Sequence, residues 1–385
     1  MQKQSTSYPI IFFLVMFVVG TDTFLISPLL PTLIKFYGIS TATSGLLVSA
    51  YALGYTLSAL VAGPISDSHD RRKILLTGLL CFAGATFFCG LANTFWIMML
   101  ARLLAGISAA FIGPQVWGSI PLIVPQEKIV AAMGLAAAGL AVSQIIGIPL
   151  GSYLAIVSWR FPFFFIAFLA LLLLGLCHVS LPSLNQANAT PQLKFTAVYQ
   201  ELWYNQQARL SLLAYFIFQL GNFCSLSFIG TWFNKSFQLS VGQIGTAMIL
   251  IGCGNLIGTL LSSKLVSFWG VKRTFFGGLI VYILLYTLVA TSKTLFVAQI
   301  LLTLIFVVGG IIFPLFMTNL QATITTARST ISSVSNAAMF LGEALGGFAG
   351  GILIANFPGF WGIGIFTALL ASISYLLYAL TLHFW

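Results

Sequence analysis

The chain has 385 residues, of which 59% are hydrophobic and 6% are charged. A soluble domain carries about 25% charged residues, and a disordered chain combines low hydrophobicity with high charge, so this composition excludes both classes. At about 25 residues for each membrane-crossing helix and its turn, the chain has room for on the order of a dozen to fifteen spans and for no sizeable soluble domain. The net charge of +10 does not indicate a nucleic-acid partner, because Lys and Arg are scattered over short loops and form no basic face.

Taken in chain order, the apolar segments predict twelve membrane helices. The first begins near Pro9 and runs past Ile34, which is too long for the apolar region of a signal peptide. The predicted spans are 9–35, 44–66, 74–92, 96–120, 130–156, 162–181, 209–233, 241–264, 274–291, 295–318, 331–355 and 361–382.

One long polar connection, residues 182–208, divides the predicted helices into two groups of six. It opens with Pro182 and predicts an amphipathic surface helix near Leu193–Gln207. The expected fold is therefore an all-α membrane protein with two pseudo-symmetric six-helix bundles, residues 1–181 and 209–385, joined by a cytoplasmic linker.

An internal repeat at an offset near 200 supports this division. Asp22 of the first span corresponds to Asn222 of the seventh, and such a repeat is typical of duplicated transporter folds. The other matched positions are Arg72 and Lys73 with Lys272 and Arg273, and Gln144, Gly147 and Gly151 with Glu343, Gly346 and Gly350.

The distribution of basic residues predicts the orientation. With a cytoplasmic N-terminus, eleven of the 16 Lys and Arg residues fall in inside segments, four fall outside and one lies within a span. Positive residues accumulate on the cytoplasmic side of membrane proteins, so both termini are expected to be cytoplasmic.

Three ionisable residues fall inside predicted spans: Asp22 in the first, Arg102 in the fourth and Glu343 in the eleventh. Each charge at mid-bilayer costs roughly 2.5–3.5 kcal/mol, which predicts that all three line a shared aqueous cavity. A carboxyl group in a partly dry cavity can load and release a proton, which is the chemistry of a proton-coupled carrier. The structural alternative is a hydrogen bond to a neighbouring helix or a permanent ion pair with Arg102.

The loop after the second span, GPISDSHDRRK, resembles the signature loop of the major facilitator superfamily, G-x-x-x-D-R-x-G-R-R/K. Ser68 stands in place of the usual Arg, and Asp70 in place of the usual Gly. The resemblance implies that the loop helps to latch the two halves in the outward-facing state. The matching residues are Gly63, Asp67, Arg71 and Arg72.

The fourth and fifth spans extend the resemblance to the twelve-span drug:proton antiporters. The segment from Arg102 to Gly106 is similar to an R-x-x-x-G pattern whose Arg is associated with proton transfer in that group. Gly147, Pro149 and Gly151 loosely match its glycine-proline antiporter motif, and close helix packing would also explain them. The pair Trp159-Arg160 is similar to that of sugar-exporter-like members.

Two helical stripes supply the candidate substrate contacts. They are predicted to line a mostly apolar cavity suited to amphipathic or cationic compounds, although aromatic residues often only fill a core or face lipid. The stripes consist of Tyr215, Phe218, Gln219 and Asn222 on the seventh span, and Asn336 and Phe340, beside Glu343, on the eleventh.

Together these features predict a monomeric proton-coupled exporter of the cell membrane, with protons, a small molecule and the lipid bilayer as partners. Export of sugars or metabolites is the alternative within the same fold, and uptake by proton symport is a further one. A membrane-embedded enzyme or a receptor would need a polar catalytic cluster or an appended domain, and the sequence shows neither. We therefore expect no enzyme activity, no metal and no cofactor.

Overall fold

The computed structural model of the protein describes the backbone of residues 7–184, 204–323 and 328–381, with side chains at these positions other than 7, 63–68, 130, 328–333 and 381. These ranges contain helices and turns and no strand. The helices are α1 (Ser7–Tyr37), α2 (Thr41–Ser68), α3 (Arg71–Leu91), α4 (Phe95–Ile123), α5 (Ile129–Val142), α6 (Ile148–Val157), α7 (Phe161–Ser180), α8 (Gln206–Phe237), α9 (Val241–Ala290), α10 (Leu295–Thr323), α11 (Arg328–Asn356) and α12 (Trp361–Thr381).

Twelve membrane crossings result from these helices. Within the described ranges, eleven helical segments are long and apolar enough to cross a membrane. The segment α9 has 50 residues, about 75 Å of helix, which is more than twice the thickness of a hydrocarbon core. It is broken at Gly270, whose φ of 77° and ψ of 161° are not helical, so α9 supplies the eighth and ninth spans. The predicted all-α fold is confirmed.

The fifth span is a composite of two helices. A 3₁₀ turn at Gln126–Lys128 leads into α5, and a π-helical segment, Ser143–Gly147, joins α5 to α6. Pro149 lies in the first turn of α6, where its missing N–H is tolerated. The fifth span therefore contains a π-bulge just before Pro149, a feature that interrupts regular helical hydrogen bonding.

Side-chain caps fix the starts of several helices. The hydroxyl of Ser40 accepts a hydrogen bond from the backbone N–H of Thr43 at the start of α2. Ser240 does the same for Gln243 at the start of α9, in a complete capping box. Ser40 and Ser240 occupy equivalent positions in the internal repeat, so both copies begin this helix with a serine cap.

Helix packing follows the two groups of six. In the first group α2 and α3 pack on α4, α3 packs on α7, and α1 packs on α5; in the second, α9 packs on α10, and α8 on α11 and α12. The most extensive contacts between the groups are those of α2 with α11, of α6 with α9, and of α1 with α8. The boundaries 1–181, 182–208 and 209–385 stay a prediction, and residues 193–203 of the predicted surface helix lie outside the described residues.

Equivalent glycines make close helix contacts in both groups. A Cβ at Gly54 of α2 would overlap the backbone carbonyl oxygen of Leu103 in α4, and a Cβ at Gly254 of α9 would overlap that of Thr303 in α10. Both glycines are therefore required by close backbone approach. Because both residues of the first contact are matched at an offset of 200 by those of the second, the two groups build the same helix contact twice.

Candidate functional site

Asp22 and Arg102 form a buried ion pair between α1 and α4. The Nη1 atom of Arg102 donates a 2.9 Å hydrogen bond to Oδ2 of Asp22, and neither side chain has any exposed surface. The same Nη1 lies 3.4 Å from the backbone carbonyl oxygen of Asp22. A charge-assisted bond of this kind offsets the cost of burying two ions.

The ring of Tyr51 in α2 packs against the Arg102 side chain of this pair. The Cζ atom of Arg102 lies 4.4 Å from the centre of the Tyr51 ring, which is within cation–π range. The Tyr51 hydroxyl is 3.0 Å from the Thr23 hydroxyl, which itself bonds to the carbonyl of Val19 at 2.9 Å. The Tyr51 side chain is therefore fixed by the cation–π contact on its ring face and by the hydrogen bond of its hydroxyl group.

Several polar atoms of the pair have no hydrogen-bond partner among the described residues. They are Oδ1 of Asp22 and Nε and Nη2 of Arg102. Thr86 of α3 directs its hydroxyl toward the Asp22 carboxylate without reaching hydrogen-bond geometry. Unpartnered buried donors and acceptors are costly, so this arrangement favours a further partner for both side chains.

Glu343 of α11 brings a carboxylate from the second group of helices to this site. It is 3% exposed, and its Oε2 atom has no hydrogen-bond partner in the described part of the chain. It lies within electrostatic range of Arg102 without forming an ion pair. One turn away, Phe340 stacks on Tyr55 of α2 with ring centres 3.6 Å apart. The three ionisable residues singled out in the sequence thus come together, although they are buried rather than exposed to an open cavity.

The candidate contacts of the seventh span lie inside the second helix group. Gln219 donates to the Tyr215 hydroxyl at 3.1 Å, Asn222 approaches Gln219 at 3.4 Å, and the Tyr282 hydroxyl donates to Asn222 at 3.1 Å. Phe218 packs against Tyr282 at 5.1 Å. In this structure the stripe is a buried hydrogen-bonded chain, and its role as a substrate contact stays a prediction.

On the eleventh span, Asn336 is half-buried and Phe340 is buried. Phe340 contacts the first helix group through its stacking on Tyr55, so it lies at the junction of the two groups. It lies one helical turn from Glu343 on the same helix. Its role in substrate binding also stays a prediction.

The loop between α2 and α3 is anchored by its charged residues. The guanidinium of Arg71 lies against Gly118 of α4, and Arg72 donates to the carbonyl of His178 at the end of α7. The side chains of Gly63 and Asp67 are outside the described residues. The latch function of this loop stays a prediction.

Asp70 holds the start of the long connection. Its carboxylate accepts hydrogen bonds of 2.9 Å from the Arg72 N–H, the Ser183 hydroxyl and the Leu184 N–H. Burial opposes ionisation of Asp70, but these bonds and the charge of Lys73 outweigh it, so the pKa of this carboxyl lies below its usual value. The residue that departs from the family pattern thus caps α3 and ties it to the linker.

The antiporter-like motif packs against α1 beside Asp22. A Cβ at Gly147 would overlap the Thr21 side chain, and one at Gly151 would overlap Leu25. The motif therefore permits close approach of the fifth span to the helix that carries Asp22, with Pro149 between the two contacts.

Cross-group hydrogen bonds complete the junction around the site. Ser49 of α2 donates to the carbonyl of Ala344 at 2.5 Å, and Ser27 of α1 donates to that of Leu226 at 2.8 Å. In the third pair, Asn255 of α9 donates to Gln144 of the π-helical segment at 3.2 Å. These bonds join the two groups between α2 and α11, between α1 and α8, and between the π-helical segment and α9.

Sequence reasoning missed Tyr51 and the partner of Gln144. Tyr51 is one aromatic among many in an apolar span, so no sequence signal marks it. Asn255 is an amide inside the eighth span, which is a usable signal because polar groups there need a partner. No group of three or more His, Cys, Asp or Glu residues suited to a metal occurs in the described ranges.

Comparison with known proteins identifies the family. The sequence model described as Major Facilitator Superfamily matches residues 12–209 and 211–383, nearly the whole chain. The chain belongs to the Major Facilitator Superfamily. It is a multi-pass membrane transporter and not an enzyme, and the resemblance predicted from its motifs is confirmed.

Relatives of this superfamily member cover most of its length. The uncharacterized MFS-type transporter YceJ of Bacillus subtilis is 44% identical over 96% of this chain and 94% of its own. Multidrug resistance protein 1 of Bacillus subtilis is 26% identical over 87% of each chain. The crystal structure of a bacterial homologue of the human lysosomal transporter Spinster superposes with a TM-score of 0.80 at 17% identity, covering 99% of this chain and 97% of the other, and shows the shared fold.

Proposed function

We propose that this superfamily member is a proton-coupled exporter of small amphipathic or cationic compounds that works by alternating access. The observation that carries the proposal is the buried Asp22–Arg102 pair faced from the other group of helices by Glu343, whose Oε2 atom has no hydrogen-bond partner among the described residues. Asp22 and Glu343 would bind protons, and Arg102 would respond to their charge. Relative movement of the two groups would alter the surroundings of both acids, as alternating access requires.

The site chemistry supports exchange of substrate for protons. Two carboxylates facing one guanidinium leave one excess negative charge, which either a proton or a cationic substrate can neutralise. Binding of one would then disfavour the other, so an inward proton gradient would drive export. The similarity to multidrug resistance protein 1 over 87% of the chain supports the substrate class.

Export of a sugar or metabolite is the second candidate. It is favoured by the Trp159-Arg160 pair, which resembles that of sugar-exporter-like members. Arg160 donates 2.8 Å hydrogen bonds to the Gly90 carbonyl and to Asn93, and it lies 4.6 Å from the Trp159 ring centre. These contacts hold the loops next to the predicted outer face.

The proposed arrangement in the cell is a monomer in the cell membrane with both termini cytoplasmic. The excess of basic residues in the loops on the side of the termini supports this orientation. The units of the mechanism would be residues 1–181 and 209–385, with the connection 182–208 between them. Protons, the small-molecule substrate and the bilayer would be its partners.

Transport in proteoliposomes tests the proposal. A lipophilic cationic dye and radiolabelled sugars are offered with and without an imposed pH gradient. The variants Asp22→Asn and Glu343→Gln are compared with Glu127→Gln, which changes an exposed acid outside the site. We expect gradient-driven dye movement that the two site variants abolish and the control retains. Sugar movement without dye movement would support the second candidate, and dye movement indifferent to the gradient in the wild type would refute proton coupling.

A further inference from the structure

The guanidinium of Arg102 has capacity for a second carboxylate. An arginine side chain has five N–H donors, and here the described contacts use only Nη1, on Asp22. Nε and Nη2 have no acceptor within the described ranges. The face of the guanidinium lies 4.4 Å from the Tyr51 ring centre, so the ring supports the cation without using any of these donors.

Glu343 provides the matching acceptor. Its Oε2 atom is buried and has no hydrogen-bond partner in the described part of the chain. The carboxylate lies within electrostatic range of both Arg102 and Tyr51. The register of α2 against α11 fixes this arrangement, because Tyr55 stacks on Phe340 one helical turn away. Tyr51 and Glu343 are therefore at the same level of the junction.

We propose that Tyr51 is a positioning residue whose ring holds the Arg102 guanidinium within reach of both Asp22 and Glu343. Arg102 then pairs with Asp22 while that carboxylate is ionised, and with Glu343 once Asp22 is protonated. The inference rests on the proposed proton-coupled function. It adds that protonation of Asp22 leads to an ion pair between Arg102 and Glu343, which joins the two groups of helices.

The charge balance supports this exchange. With all three groups ionised the site has one excess negative charge, and a proton that binds the Asp22 carboxylate removes it. Arg102 then loses its partner on α1, while the Glu343 carboxylate on α11 is still ionised. Within the described residues, the other titratable groups facing Arg102 are the Tyr51 hydroxyl and the thiol of Cys89 from α3, which are neutral and add no charge to the site.

The Tyr51 hydroxyl has a separate role from the ring. Its 3.0 Å contact with Thr23 holds the ring orientation, but the cation–π contact depends on the ring face alone. Phenylalanine would therefore preserve the positioning, whereas an aliphatic residue would remove it. Phe233 of α8 is the control, because it is a fully buried aromatic residue that packs on Trp232 and Phe237.

The test is an infrared pH titration of each buried carboxyl group in purified protein in lipid nanodiscs. The four acidic residues outside the spans titrate in every variant, so the signal of Glu343 is the difference between Asp22→Asn and the double variant Asp22→Asn/Glu343→Gln. The signal of Asp22 is likewise the difference between Glu343→Gln and that double variant. Each background is combined with Tyr51→Phe, Tyr51→Leu or Phe233→Leu. Tyr51→Met is a second aliphatic variant that serves if the leucine variant does not fold.

We expect the aliphatic Tyr51 variants to move the titration midpoint of the remaining carboxyl by at least about half a pH unit in both backgrounds. Tyr51→Phe and Phe233→Leu should leave it unchanged. An unmoved midpoint in either background, an equal movement with Phe233→Leu, or an Asp22 carboxyl that does not titrate would overturn the proposal. Dye transport by the wild type is measured separately: a midpoint shift together with gradient-independent dye movement would reject proton-coupled export while retaining the positioning role.

Discussion

Asp22 and Arg102 are joined by a 2.9 Å ion pair in which both side chains are completely buried, and Glu343 faces that pair from the opposite group of helices. A permanent structural pair would satisfy both partners. Here Oδ1 of Asp22 and two nitrogens of Arg102 lack hydrogen-bond partners among the described residues. The proposed switching of Arg102 between two carboxylates needs free donors and acceptors of this kind.

Breaking the ion pair from either side should destabilise the protein. Arg102→Met leaves the Asp22 carboxylate without its counter-charge, and Asp22→Asn leaves the guanidinium with only the more distant Glu343. We expect Arg102→Met to lose about 3–5 kcal/mol of unfolding free energy, Asp22→Asn to lose less because Glu343 can pair with the guanidinium, and the double variant to lose less than the sum of the two. Denaturant titration in detergent measures this, and additive losses would show that the two side chains are not energetically coupled.

The closed junction between α2 and α11 should open when its glycines gain a side chain. A Cβ at Gly45 would overlap the carbonyl oxygen of Gly347, so Gly45→Ala should separate the helices. Val48 is buried at this contact, and a cysteine placed there should become reactive toward a water-soluble maleimide. Gly84→Ala is the control, since nothing lies within 4 Å of its added Cβ.

The labelling is performed in a background that lacks the five native cysteines. We expect at least about a tenfold rise in the labelling rate at position 48 with Gly45→Ala, together with slower transport. Equal rates in the Gly45 and Gly84 variants would contradict the role of this contact in closing the junction.

Asp70 should stabilise the start of α3 in a pH-dependent way. Asp70→Ala removes the helix cap and the bonds to Ser183 and Leu184, at a cost of about 1 kcal/mol. Because the folded pKa of Asp70 is lowered, its contribution is fully present above its unfolded value of about 3.9 and is lost as the pH falls through the folded value.

Hydrogen exchange of the Arg72 and Leu184 amides measures this effect. Their exchange should be faster in Asp70→Ala than in the wild type at neutral pH, and the difference should vanish in acid. Glu127→Ala, which removes an exposed acid, should leave both amides unchanged. A difference that persists at a pH below the folded pKa would show that the carboxylate charge is not the cause.

Arg160 should be sensitive to replacement by lysine. Its guanidinium bonds to the Gly90 carbonyl and to Asn93 while lying against the Trp159 ring, a geometry that an ammonium group cannot reproduce. We expect Arg160→Lys to lower the unfolding free energy by about 1 kcal/mol. Lys293→Ala, in an exposed loop of the other group, should have no measurable effect, and an unchanged Arg160→Lys would contradict the assigned contacts.

Most of the fold follows from the hydropathy pattern. The predicted spans match the helices to within a few residues, because apolar length decides where a helix crosses the bilayer. The break between the eighth and ninth spans is located by Gly270, whose positive φ suits a residue without a Cβ. The helices are a few residues longer than the predicted spans, because their first and last turns contain polar residues outside the apolar segment.

The site was only partly predictable. Asp22, Arg102 and Glu343 stand out because charge is expensive in a membrane, and the structure brings them together. Tyr51 acquires its position only from the packing of α2 on α4 and α11, and the role of Asp70 depends on a contact with the distant Ser183. Such relationships arise from tertiary packing, which no local pattern in a single sequence encodes.

Proton release on substrate binding tests the central claim most directly. Purified wild-type protein in weakly buffered detergent solution is mixed with the lipophilic cation tetraphenylphosphonium, and a pH indicator records the protons released. We predict release on binding by the wild type and by Glu127→Gln, and its loss when Asp22→Asn and Glu343→Gln are combined. Saturable binding without proton release by the wild type would contradict the claim that substrate and protons compete for the two buried acids.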